Sequence, residues 1–372
     1  LLSTHSLAWE KHVSLMRGAL QELSPRVLER LDREIDVPCW DEQLARWSKL
    51  TVELGLNLKS MPVLPWGGAP SRELTAQELS QCPTKLQTTP RAILAGFAVD
   101  EPDHGMDEDL DDSYDPKNFR AWMGGKSGPT SKGFRHMYFG GWNAASPIST
   151  FQIPVTAIGY APDRAELMAR KALALIQAGD FFWGYRILGW SLHYLQDLSQ
   201  PFHAVQNINL RFGAWRTLLT LPSASTFNQF VADTTHHVAN YHWALEDFTW
   251  YRLTQLDNPY IRICTEQPFN AAKRLSWTSA AGTSAPRALA LEIADRSRDL
   301  GFLLGIRLWD FFGRHFKEFS VNLPKGIGTP NYANYARDPN ISAERVLLEA
   351  VLCEALGHGA QATRYLLEWS TY

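Results

Sequence analysis

The chain has 372 residues, 45% hydrophobic and 20% charged, the proportions of an ordinary globular protein long enough to bury a large core. A formal charge of −3 offers no basic surface for duplex nucleic acid held by counterion release. No apolar run approaches the length of a membrane span.

Apolar spacing of helical period predicts helices over Trp9 to Leu23, Pro25 to Arg33 and Trp40 to Leu56. Ahead of them, Ser6-Leu-Ala8 puts small residues where a signal peptidase reads, so residues 1–8 are either the remnant of a signal peptide or a disordered lead. Met61 to Ser71 carries three Pro and two Gly and reads as a loop. Asp100 to Asp115 holds nine acidic residues in sixteen, either a solvated loop or one that feeds a carboxylate, best Asp100, into a metal site. Asp107, Asp109 and Asp111 alternate as in a calcium loop, yet Asp112 and Asn118 occupy the positions where such a loop needs Gly and Glu. After a glycine-rich stretch, the apolar neighbours of His136 in Phe134 to Tyr138 point that imidazole toward the core.

Asp163 to Ala178 is strongly periodic, with Asp163 as N-cap, Glu166 three residues on and Gly179 as the stop. A second helix over Phe181 to Leu198 follows at once. Leu219 to Ser225 reads as loop, Phe227 to Thr254 as a long helix, and Ala285 to Phe316 and Ser342 to Trp369 as two more, joined by a Pro/Gly/Asn-rich connector over Leu323 to Asn340. With no repeat and no long linker, residues 1–372 are expected to form one all-α, multi-helix domain with long loops.

The chemistry concentrates in His193-Tyr-Leu-Gln-Asp197-Leu-Ser-Gln-Pro201-Phe-His203. His193 and Asp197 stand one helical turn apart on the same face. Pro201 then breaks the helix and lets His203 return toward the same pocket. The spacing recurs at His242 and Glu246. A lone pair of this kind is most often solvated or a satisfied core histidine. Two pairs plus a third histidine past a proline form a nitrogen and oxygen ligand set that suits zinc. Cys39, Cys82, Cys264 and Cys353 are widely spaced with no Cys-x-x-Cys, so they form either two disulfides, suited to an oxidising compartment, or four buried thiols.

With these residues laid out, the chain resembles the bacterial zinc-dependent phospholipase C family, which shares its fold with single-strand nucleases and 3′-nucleotidases. The likeness rests on Ala178 to Ala204, on His242 to Glu246, and on Asp100 and His136 in the family's order, with Asp103, His104 and Asp107 as competitors. Trp9-Glu-Lys-His12 is similar to the family's processed start, whose free terminal Trp chelates metal. If the chain is not cut after Ala8, Leu1 with His5 is the alternative pair. Residues 251–372 form a helical extension that matches nothing in the family.

The resemblance implies three zinc ions: one held by Asp100, His136, His193 and Asp197, a second by Trp9, His12 and Asp197, and a third by His203, His242 and Glu246. It implies a secreted metallohydrolase cleaving phospholipid to diacylglycerol and a phosphorylated head group, with Asp100 orienting the attacking water. The stretch Pro201 to Asn207 resembles the phospholipase version, which lacks the Gly-Gly-Asn stretch usual in nucleases. The alternative is a zinc-dependent single-strand nuclease or 3′-nucleotidase. His236 and His237 are expected at the surface or behind the ligands, and apolar loop residues such as Leu219, Leu221 and Phe227 are expected in packing.

Overall fold

The helical periodicity becomes a stack of helices in the computed structural model, which describes residues 12–56, 87–104, 135–145, 150–209, 242, 244–246, 248–249, 252, 259–266, 275–276, 286–316 and 342–371. In chain order these give α1 (His12–Ala19), α2 (Pro25–Leu31), β1 (Ile35–Asp36), α3 (Trp40–Leu54), β2 (Gln87–Thr88), α4 (Pro90–Gly96) and a 3-10 helix (Ala98–His104). Then come β3 (Phe139–Ala145), β4 (Thr150–Ile158), α5 (Ala161–Gln177), α6 (Phe181–Ser199), α7 (Pro201–Ala204) and β5 (Gln206–Asn209). Residues 242, 244–246, 248, 249 and 252 are helical. The last elements are α8 (Pro259–Glu266), α9 (Pro286–Phe316) and α10 (Ser342–Trp369). The architecture is all-α with a little sheet.

Local chemistry explains most boundaries. Thr89 caps α4 by accepting from the Ala92 amide at 3.2 Å, with Pro90 in the first turn. Gly55 closes α3 in the left-handed region at φ 62°, and Gly179 closes α5 at φ 82°. Asp163, expected as an N-cap, is not one: Tyr160 holds that position, Pro162 lies in the first turn, and Asp163 one residue on pairs with Arg287 at 2.6 Å. Proline pre-sets the backbone of a first turn, which starts the helix two residues early. The first helix runs only to Ala19 rather than to Leu23.

Helix α6 is the axis of the molecule. Every residue from Phe182 to Ser199 is buried, so it is covered on all sides rather than along one stripe. Helix α5 lies along it, and Gly184 permits the approach, since a Cβ there would sit 2.6 Å from Ile176 Cγ1. Gly189 does the same for the 3-10 helix, where a Cβ would meet Ala98 Cβ at 2.7 Å. One core joins Met16 of α1 and the α6 residues to Leu289 and Ile293 of α9 and Leu366 and Trp369 of α10. A second packs Leu15 against Phe202, Leu245, Phe312 and Leu352. The stretch after residue 250 is therefore built into the same interior as the ligand helices. Cys264 and Cys353 form a disulfide tying α8 to α10, and Cys39 is also disulfide-bonded.

Strands β4, β3 and β5 form a three-stranded sheet, β3 running antiparallel to β4 and parallel to β5. Strand β3 begins three residues after His136 and β5 three residues after His203, so the sheet adjoins both imidazole-bearing segments. Among the described residues no helix is long and apolar enough to cross a membrane. The segments read as loops over Met61 to Ser71, Leu219 to Ser225 and Leu323 to Asn340 lie outside the described residues. So does the acidic stretch beyond His104.

Candidate metal centre

Helical spacing sets the site. His193 and Asp197 share one face of α6, and the His193 Nε2 lies 3.1 Å from Asp197 Oδ2. The His193 Nδ1 donates to the Val99 carbonyl of the 3-10 helix at 2.8 Å. A carbonyl can only accept, so Nδ1 carries a proton. The same logic fixes two more imidazoles. His12 Nδ1 donates to Gln196 Oε1 at 3.0 Å, and His203 Nδ1 donates to the His136 carbonyl at 2.8 Å. Each of these three rings thus carries a proton on Nδ1 and turns its Nε2 toward the interior, the arrangement by which outer partners orient metal-binding histidines.

The turn after α6 delivers His203. Gln200 leaves the helix in an extended conformation at φ −77° and ψ 113°, and its side-chain oxygen accepts from the Phe202 amide at 2.6 Å. Pro201 occupies the first turn of α7. The Tyr138 amide donates to the His203 carbonyl at 2.9 Å, so α7 and the His136 segment are clipped together in both directions.

Two buried groups of potential ligands result. In the first, atoms of His12, His193 and Asp197 lie within 4.8 Å of one another. His12 Nε2 stands 3.4 Å from Asp197 Oδ1, and His136 Nδ1 stands 2.6 Å from Asp197 Oδ2 and 3.0 Å from His193 Nε2. The second group is His203, His242 and Glu246, within the same span. His242 Nε2 is 2.7 Å from Glu246 Oε1, and His203 Nε2 is 3.9 Å from it. His203 Nδ1, only 3.8 Å from Asp197 Oδ1, links the two groups.

A metal ion fits this donor set. All seven side chains are at most 3% exposed, and isolated carboxylates at that depth are strongly disfavoured unless compensated. Asp197 Oδ1 makes no aligned hydrogen bond although it faces two imidazoles. Gln200 Nε2 donates to Glu246 Oε1 at 3.2 Å and stands 3.1 Å from His242 Nε2. With Gln200 Oε1 fixed on the Phe202 amide, the amide group presents its protons to the pair, and a proton or a cation must lie between His242 Nε2 and Glu246 Oε1. Tetrahedral ligand atoms about 2.1 Å from zinc are about 3.4 Å apart, close to the separations seen here. Every donor is nitrogen or oxygen.

Electrostatics point the same way. Burial alone would raise the Asp197 pKa, but the neighbouring imidazoles of His193, His136 and His12 hold it well below the usual carboxylate range. Burial pushes His203 down to about 3, with His242 adding to the fall and Asp197 opposing it. At neutral pH the cluster therefore offers an ionised carboxylate and a neutral imidazole, the forms that bind metals.

Of the residues expected from the sequence, the structure brings together His12, His136, His193, Asp197, His203, His242 and Glu246. Asp100 does something else: its Oδ1 accepts from the Val13 amide in the first turn of α1 at 3.1 Å. Trp9, Leu1 and His5 lie outside the described residues, as do Asp107, His236 and His237. Asp103 and His104 belong to the 3-10 helix. Sequence reasoning passed over Gln196 and Gln200. Both stand at helical spacing from the ligands, i+3 from His193 and from Asp197, but a neutral amide gives no signal in a search for charged ligands. It also passed over the buried Glu101, which pairs with Arg186 and accepts from Trp190 Nε1 at 2.6 Å beneath the 3-10 helix. Thr363 of α10 accepts from Gln196 Nε2 at 3.1 Å, a contact that no local spacing could show.

The centre thus consists of two buried His/Asp/Glu groups able to bind metal ions, sharing one wall at Asp197. Comparison with models of protein families, with curated proteins and with solved structures finds no match to this chain.

Proposed function

We propose that the chain is a zinc-dependent phosphodiester hydrolase of the phospholipase C type, cleaving phospholipids to diacylglycerol and a phosphorylated head group. The observation that carries the reading is the pair of buried nitrogen and oxygen groups meeting at Asp197, which matches in kind the multinuclear site implied by the likeness of Ala178 to Ala204 and His242 to Glu246 to that family. Three zinc ions are proposed: His136, His193 and Asp197 hold one, with Asp100 beside them. His12, Asp197 and the Trp9 amine hold another, and His203, His242 and Glu246 the third. Two sets have only three protein ligands, as in catalytic rather than structural zinc.

When bound, the ions supply Lewis acidity to the phosphoryl oxygens and lower the pKa of water toward about 7. The protein's own part is positioning. The Nδ1 donations to Gln196, Val99 and His136 fix the ring planes and turn the Nε2 atoms toward the site. Asp197, held ionised, would supply negative charge to the bound cations. Asp100 is proposed to orient the attacking water through its second carboxylate oxygen, because Oδ1 is engaged by Val13. Disulfide-bonded Cys264, Cys353 and Cys39 support a secreted protein, since such bonds persist in oxidising compartments.

The test is paired hydrolysis of phosphatidylcholine vesicles and single-stranded DNA by one zinc-quantified sample, with and without chelator. Chelator-sensitive release of phosphocholine alone is the expected result. Cleavage of DNA alone would replace the lipid substrate with a nucleic acid while keeping the ligands. Absence of bound metal would sink both.

A further inference from the structure

Helix α6 reaches a second concavity at its opposite end. A cavity of 310 Å³ opens between α2, the start of α4, α5, α6 and the end of α10. Its wall residue Tyr185 precedes His193 by two helical turns, about 12 Å along the axis. The cavity lies in the lower part of the size range of small-molecule sites, which begins at about 300 Å³.

Its lining is chemically divided. Ile35, Pro90 and Ile176 give a buried apolar floor. At the mouth stand the exposed guanidinium groups of Arg30 and Arg33. Arg33 lies over the Phe181 ring at 5.6 Å, and among the described residues neither arginine pairs with a carboxylate. The acid nearest them in sequence, Asp32, is already taken by Arg91 at 2.6 and 3.0 Å, and Glu34 does not line the cavity. Tyr185 is 5% exposed, and its hydroxyl makes no hydrogen bond among the described residues. Burial raises its pKa above the usual tyrosine value, against the pull of Arg30 and Arg33, so it stays a protonated donor. Two uncompensated guanidinium groups and a hydroxyl above an apolar floor complement a dianion with several oxygens attached to an apolar body.

We propose that this cavity binds a small phosphate monoester with an apolar organic group, at a site separate from the metal centre. The proposal does not depend on the hydrolase reading.

Calorimetric titration of the zinc-loaded protein with phenyl phosphate, and separately with inorganic phosphate, tests it. Phenyl phosphate should bind with an affinity at least about tenfold above that of inorganic phosphate, as burial of a phenyl ring implies. The double variant Arg30→Gln/Arg33→Gln should weaken phenyl phosphate at least about tenfold, as loss of charge-assisted hydrogen bonds implies. Tyr185→Phe should weaken it about fivefold, and Asp197→Asn should leave it intact. Both arginines are exposed, so an unchanged melting temperature will separate lost binding from lost folding. Binding indifferent to the arginine changes, binding abolished by Asp197→Asn, equal affinity for inorganic phosphate, or no binding at all would each overturn the proposal.

Discussion

The first ligand group gathers α1, the turn at His136 and α6, and each of its supports comes from a different part of the chain, whereas the second takes His242 and Glu246 from a single helical turn beside the Gln200 amide and adds His203 from α7. His12 leans on Gln196, which leans on Thr363 of α10. His193 leans on Val99, whose 3-10 helix is held against α6 by the Glu101–Arg186 pair. The geometry of the first group is thus a property of the whole fold, and that of the His242–Glu246 pair a property of local spacing. Disturbance far from the ligands should reach the first group and spare the second.

The largest expected effect comes from removing the wall they share. Asp197→Asn should release metal from both groups, read by metal content, and on the proposed hydrolase reading should lower turnover roughly 10³-fold or more. Full zinc content with normal turnover in this variant would break the picture of one joint centre. Glu101→Ala should come next. It removes the carboxylate that pairs with buried Arg186 among Phe97, Phe182 and Trp183, and should destabilise the protein by about 3–5 kcal/mol in denaturant titration. Metal loss should begin in the first group, because the Val99 carbonyl loses its support. Release of both groups in step would show that they are not separately held.

Gln200→Ala sharpens the contrast from the other side. Loss of this partner should weaken one ion by about 10–100-fold while the first group keeps its metal, as resolved by stepwise chelation. The last effect, confined to acid conditions, is that of pH on the metal-free protein. His203 stays neutral in the fold down to about 3, while the unfolded chain protonates it near 6.5. Between those values the unfolded state binds more protons, so stability should fall as pH drops from 6.5 toward 3 and this contribution should be flat above 6.5. Asp197, depressed below its ordinary value of 3.8, adds a loss of the same sign below that pH. Stability that rose on acidification through pH 5 would contradict the burial of a neutral His203.

Periodicity and spacing explain why the helices and most ligands were legible in advance. Helix α6 ends within one residue of its expected stop, because Pro201 punishes continuation, and His193 to Asp197 needs only a helix to converge. The sheet was not legible. Phe139 to Ala145 is rich in Gly and Ala, and β4 exposes Gln152 to Thr156 in succession, so neither shows alternating burial. Asp100 illustrates another limit: order in the chain suggested a ligand, while its position beside the first turn of α1 gives its Oδ1 an amide to accept from. The amide partners Gln196 and Gln200, and Thr363 from a helix expected only as an extension, follow from tertiary packing alone.

The bond from Gln196 to Thr363 spans 167 residues and completes the seat of His12. A ribosome releases the chain from one end, so His12 emerges early and waits for most of synthesis before its final support exists. Until α10 docks, His12 lacks that support and the first group is an incomplete chelator. Any ion that the first group holds would therefore load late in maturation, and a nascent or truncated chain is kept from assembling this half of the centre by the order of the chain itself.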